Sequence, residues 1–145
     1  MEKTIKSIQA FLKKVNWTYE IQDKKNSKGK LFKFGIDMNG VIGNLRMYIN
    51  VFEEDYLVIG VLNNKPEKAS YTAVSEYLHR ANFGLKNGNF EMDYSDGEIR
   101  YKTYVNFENT EISENVIQDS IFIVPAMFDQ YGQGLMQTIT TGIVA

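Results

Sequence analysis

The segment YLVIGVL, residues 56 to 62, breaks the alternation that a strand with one wet face would carry: Leu57, Ile59 and Val61 are as apolar as Tyr56, Val58 and Leu62. A strand that is apolar on both sides must be covered on both sides. The segments around it read as two-sided strands. Trp17, Tyr19 and Ile21 alternate with polar residues, Phe32, Phe34 and Ile36 do the same, and a further strand runs from Leu45 to Phe52 before turning at Glu53 to Asp55. Asn39-Gly40 is a strong two-residue hairpin signal, because both positions tolerate positive φ. That loop sets Phe34 opposite Leu45, Phe32 opposite Met47 and Lys33 opposite Arg46. The like-charge pair is relieved by both side chains splaying into water, by slipped strands, or by an acidic counterpart over that face.

A second hairpin lies in the stretch of residues 82 to 107, around Asp96-Gly97. A two-residue loop there pairs Tyr94 with Ile99, Met92 with Tyr101 and Phe90 with Thr103 on one face, and Asp93 with Arg100 and Glu91 with Lys102 on the other. These charges read as cross-strand stabilisers rather than as a pair of carboxylates for acid–base chemistry.

Helical periods frame the strands. Ile5, Ile8, Leu12 and Val15 make a short amphipathic helix with lysines on its other face. Residues 66 to 80 form a second helix with Pro66 in its first turn and a stripe of Tyr71, Val74, Leu78 and Ala81. Ser113 caps a third, with Glu114 just inside and Val116, Ile117, Ile121, Val124 and Phe128 at helical spacing. Pro125 is expected to kink or end it, and Gly132 and Gly134 to terminate the helical pattern. Met127, Phe128 and Met136 read as core.

These elements predict an α+β fold: a twisted antiparallel sheet of about five strands in the order α-β-β-β-(β)-α-β-β-α, with the helices packed against it. Residues 1–145 read as one domain, a length sufficient for one real core.

No reactive constellation stands out. The chain has no cysteine, which removes disulfides, thiolate nucleophiles and cysteine-containing zinc sites. His79 is its only histidine, so neither a metal site nor a serine–histidine mechanism through Ser70 or Ser75 has a partner set. Residues 23 to 30 contain Gly29 but lack the second glycine and the Gly-Lys-Ser/Thr ending of a phosphate loop, and Gly132-Gln133-Gly134 follows no strand, so neither nucleotide motif is present. The expectation is no catalytic residue, no cofactor and no metal. Sixteen basic and eighteen acidic side chains leave a net charge of −2, which draws the chain to neither nucleic acid nor an anionic membrane. Lys13 and Lys14 interrupt any apolar leader, and no apolar run approaches about 18 residues, so a soluble cytoplasmic protein is expected.

The stretches SEYLHRANFGLKNGNFEMDYSDGEIRYKTYVNF and VIQDSIFIVPAMFDQYGQGLMQTI resemble the YbjN-like family of small bacterial proteins, candidate sensory transduction regulators. The resemblance rests on Leu78, Arg80 to Asn82, Gly88 to Glu91, Asp96 to Tyr101, and Asp129 with Tyr131, and covers roughly residues 66 to 140. It implies a fold similar to type III secretion chaperones, and a non-catalytic, often dimeric protein that binds other proteins.

Three functional classes follow. The first is a protein-binding module, chaperone-like or regulatory, that forms a homodimer and uses the second apolar face of the sheet around Tyr48, Leu57, Ile59 and Val61. The second is a small-ligand binder or enzyme with a pocket lined by some of its nine tyrosines. The third, and least supported, is nucleic-acid binding through Lys24, Lys25, Lys28, Lys30, Lys33 and Arg46.

Overall fold

A computed structural model describes residues 1–145. The element order is α1 (Glu2–Lys14), β1 (Glu20–Asp23), β2 (Lys30–Asp37), β3 (Asn44–Val51), β4 (Asp55–Leu62), a single 3-10 turn (Lys68–Ser70), α2 (Tyr71–Asn82), β5 (Asn89–Met92), β6 (Ile99–Asn106) and α3 (Glu114–Thr141). The fold is α+β in the expected order. All strands lie in one antiparallel sheet, β1-β2-β3-β4-β6-β5, of six strands rather than about five. The strand read from Trp17 to Ile21 is present as β1, shifted towards the C-terminus. It starts only at Glu20, because Trp17 leaves the sheet to stack on Phe34 at 5.7 Å between ring centroids.

One face of the sheet carries the core. Phe32, Met47, Ile49, Tyr56, Val58, Leu62, Phe90, Ile99 and Tyr101 are buried there with Ile8 and Leu12 of α1, Val74 and Leu78 of α2, and Ile117, Ile121, Val124 and Phe128 of α3. Helix α3 crosses β4 and β6, with α1 and α2 packed along it. The Ser113 cap forms as expected, its hydroxyl accepting from the Val116 N–H at 3.2 Å.

Both hairpin registers differ from expectation by two residues. In β2–β3, Phe34 faces Met47, Phe32 faces Ile49 and Gly35 faces Arg46, so Lys33 meets Tyr48 instead of a second cation. Asn39 and Gly40 do take positive φ, but within a longer connection closed by Met38 N–H to the Gly43 carbonyl at 2.8 Å. In β5–β6, Phe90 faces Tyr101, Met92 faces Ile99 and Glu91 faces Arg100. Asp93 is thereby released from the ladder into the turn, where its carboxylate accepts from the Ser95 N–H at 2.8 Å. Shifts of two residues leave every side chain on its expected face, which is why the face assignments survive both corrections.

The second helix starts at Tyr71, not Pro66; Pro66 precedes the 3-10 turn. The third does not stop at the glycines. Helix α3 runs unbroken through Pro125, Gly132 and Gly134 to Thr141 and closes at Gly142 with φ 69°. Gly132 and Gly134 provide close approach here: an added Cβ would lie 2.8 Å from the Ile42 side chain at Gly132 and 2.5 Å from the Tyr77 hydroxyl at Gly134. Tyr77 Oη in turn donates to the Tyr131 carbonyl at 2.8 Å, tying α2 to α3.

Candidate functional site

The sheet's other face has no helix over it. Its side chains fall in three rows set by the registers: Leu31, Asn50, Leu57 and Tyr104; then Lys33, Tyr48, Ile59 and Lys102; then Gly35, Arg46, Val61 and Arg100. The structure therefore gathers Tyr48, Leu57, Ile59 and Val61 on one surface. None of them belongs to the core cluster or packs against it. Tyr48, Leu57 and Ile59 are half-buried by their neighbours alone, while Val61 is 4% exposed between its cross-strand neighbours Arg46 and Arg100. The apolar second flank of β4 is left uncovered by this chain.

The same face holds residues absent from the sequence-derived set. Leu31 extends the apolar patch across β2, and exposed Tyr104 borders it on β6, with its hydroxyl donating to Asp55 Oδ2 at 2.8 Å. Arg100 and Lys102 flank the patch on β6. Their period-two alternation with Tyr101 and Thr103 was the available signal, but the adjacency of β4 and β6 is a matter of topology that no local pattern carries.

The four cations of this face divide into two kinds. Arg100 Nε lies 2.5 Å from Glu91 Oε1 and Lys102 Nζ lies 3.3 Å from Glu91 Oε2, so one carboxylate serves both. Burial disfavours the charged form of Glu91, but the hydrogen bonds and charges of Arg100 and Lys102 outweigh it and hold the carboxyl below its ordinary value. On the opposite side, Lys33 forms no ion pair, and Arg46 Nε reaches only the neutral Asn63 Oδ1, at 2.8 Å. These two border a groove of about 410 Å³ that opens where β1 begins, lined also by Thr18, Tyr19, Glu20 and Tyr48.

The residues of the other two readings are dispersed. Tyr56 and Tyr101 lie in the core, Tyr71 packs edge-on against Tyr94 at 5.5 Å, and Tyr77 reaches Tyr131; only Tyr19 and Tyr48 share the groove. Of the lysine-rich segment, Lys24 is folded back with Nζ 3.3 Å from the Phe52 ring centroid, and Lys30 pairs with Asp23. Burial lowers the Lys24 pKa against the opposing pull of Asp55. His79 is exposed, and no group of three or more His, Asp and Glu side chains is placed to hold a metal ion. No helix is long and apolar enough to cross a membrane.

No protein-family model matches the sequence, and no curated protein matches it. Among solved structures the chain is similar to the crystal structure of YbjN from E. coli, described as a candidate transcription regulator. The match has a TM-score of 0.59 at 8% identity and covers 87% of this chain and 89% of that one. At that identity the likeness establishes a YbjN-like fold.

Proposed function

We propose that this chain is a non-catalytic protein-binding module, chaperone-like or regulatory, whose contact surface is the uncovered sheet face around Tyr48, Leu57, Ile59 and Val61. One observation carries the reading: an apolar patch at the centre of the sheet stands apart from the core and has no helix of its own to cover it. Contiguous apolar surface of this kind is characteristic of association sites. Each Å² removed from water there contributes about 25 cal/mol, less the costs of association. The chain's partner is another polypeptide, a second copy of itself included, and the reading calls for no bond-making chemistry. The YbjN-like fold is consistent with a regulatory role of this kind.

The test is the mass of the tagged chain in an extract of its native host, measured by size exclusion with light scattering. A complex heavier than one chain is expected for the wild type, collapsing to one chain when Leu57→Ser and Ile59→Ser are combined. A single-chain mass for both proteins overturns the proposal.

A further inference from the structure

Resting on that reading, we infer that the partner is an acidic segment: it lays aliphatic or aromatic side chains on Leu57 and Ile59 and sets a carboxylate beside them, between Lys33 and Arg46. The charges of the face select this chemistry. Glu91 neutralises Arg100 and Lys102 within the chain, so the β6 side of the patch offers no free cation. Lys33 and Arg46, on β2 and β3, have no carboxylate partner, and they stand on either side of Tyr48: Lys33 directly opposite it, Arg46 two positions before it on the same strand. The groove beside them has room for an incoming side chain, and its single carboxylate, Glu20, sits at the β1 edge opposite Lys33.

A partner that covered Lys33 and Arg46 without supplying a negative charge would strip water from two cations with only Glu20, across from Lys33, to offset the cost. An arginine held this way also presents a planar fork suited to a carboxylate. A nucleic acid could neutralise the same cations, but base stacking needs aromatic platforms. The row from Lys33 to Lys102 offers only Tyr48 beside Ile59, while Tyr104 is tied to Asp55 and Tyr19 packs on Phe32 at 5.4 Å, which favours a polypeptide. Two copies stacked on this face about a twofold axis would bring the same patch against itself, with no surplus of carboxylates at its centre.

Fluorescence anisotropy with short labelled peptides tests the inference on the intact chain. The probes are a peptide alternating Glu and Leu, a Lys/Leu counterpart, a Glu/Ser counterpart, and a single-stranded oligonucleotide. The Glu/Leu peptide is expected to bind best, to weaken about tenfold or more when Lys33→Gln and Arg46→Gln are combined, and to be unaffected by Lys86→Gln on the exposed loop after α2. Matching thermal unfolding of the variants excludes loss of fold as the cause. Equal binding of the Lys/Leu peptide, tighter binding of the oligonucleotide, no binding of the Glu/Leu peptide, or indifference to the double substitution each overturns the inference. So does a self-dimer that the Glu/Leu peptide fails to displace. If the host-extract complex still depends on Leu57 and Ile59 in any of those cases, the binding surface stands and only the partner's chemistry is wrong.

Discussion

The Asn82 carboxamide holds both backbone groups of Phe90: its Oδ1 accepts from the Phe90 N–H at 2.7 Å and its Nδ2 donates to the Phe90 carbonyl at 2.9 Å. Strand β5 is the edge of the sheet, so these groups have no neighbouring strand. The last residue of α2 therefore takes the place of a missing strand and closes that edge against further pairing. Asn82→Ala should cost about 1–3 kcal/mol by leaving the pair unsatisfied, and Asn82→Asp should cost at least as much by opposing two oxygens. Denaturant unfolding checks both; stability within experimental error of wild type would mean that the edge needs no such closure.

The contact of Gly134 with Tyr77 makes an unusual prediction for a helix glycine. Gly→Ala inside a helix ordinarily stabilises by about 1 kcal/mol. Here the new methyl would meet the Tyr77 ring and its hydroxyl, which is fixed on the Tyr131 carbonyl. Gly134→Ala should therefore destabilise by about 1–3 kcal/mol, and the sign should reverse in a Tyr77→Ala background. A double-mutant cycle measures this; the same sign in both backgrounds refutes the close-packing account.

Glu91 sets the acid limb of stability. Its folded pKa lies below the ordinary 4.5. The stabilisation is thus present above that value and is lost as the pH falls from 4.5 through the lower folded value. The side chain is 30% exposed, so the effect is modest, about 1 kcal/mol or less. Stability curves of wild type and Glu91→Gln should differ at neutral pH and converge in acid. Parallel curves would assign the ion pairs no role.

At the alkaline end, burial raises both Tyr56 and Tyr101 to about 12. For Tyr56 a hydrogen bond with Ser120 works the other way, and for Tyr101 the charge of Tyr131 adds to the rise. In the neutral state the Tyr56 hydroxyl donates to Ser120 Oγ at 2.7 Å while Ser120 donates to the Ile117 carbonyl at 2.9 Å; on ionisation the Ser120 hydroxyl turns to the phenolate, and in that sense the bond opposes the rise. Because the folded values are raised, the contribution is complete below pH 10 and declines as the pH rises from 10 through 12. Tyr56→Phe should lose about 1 kcal/mol at neutral pH yet unfold less steeply in alkali. Absorbance titration of the phenols together with circular dichroism follows this; ionisation of every tyrosine without unfolding would contradict it.

Period-two and period-3.6 patterns carried the element order and the assignment of each strand residue to a face, because both are local. Registers were not local. The Asp96-Gly97 signal lies inside the turn, but the turn runs from Asp93 to Glu98 around Asx contacts that tighten it off-centre, so Glu91 rather than Asp93 met Arg100. The run of α3 through Gly132 and Gly134 depends on Ile42 and Tyr77, residues distant in sequence that need the room a missing side chain leaves. For the candidate site, the doubly apolar β4 and the placement of Tyr48, Leu57, Ile59 and Val61 on one sheet face were legible. The split of its cations into paired and unpaired was not, because it follows from β6 lying beside β4 and from the two-residue shift of β5.

The most direct test of the open sheet face as a contact surface is site-specific photo-crosslinking in the native host, with a photo-reactive phenylalanine analogue placed at Ile59 or, for comparison, at Asp119, which is exposed on α3. A discrete polypeptide adduct from position 59 and none from position 119 is the predicted result. No polypeptide adduct from position 59, or equal adducts from both positions, would contradict the account.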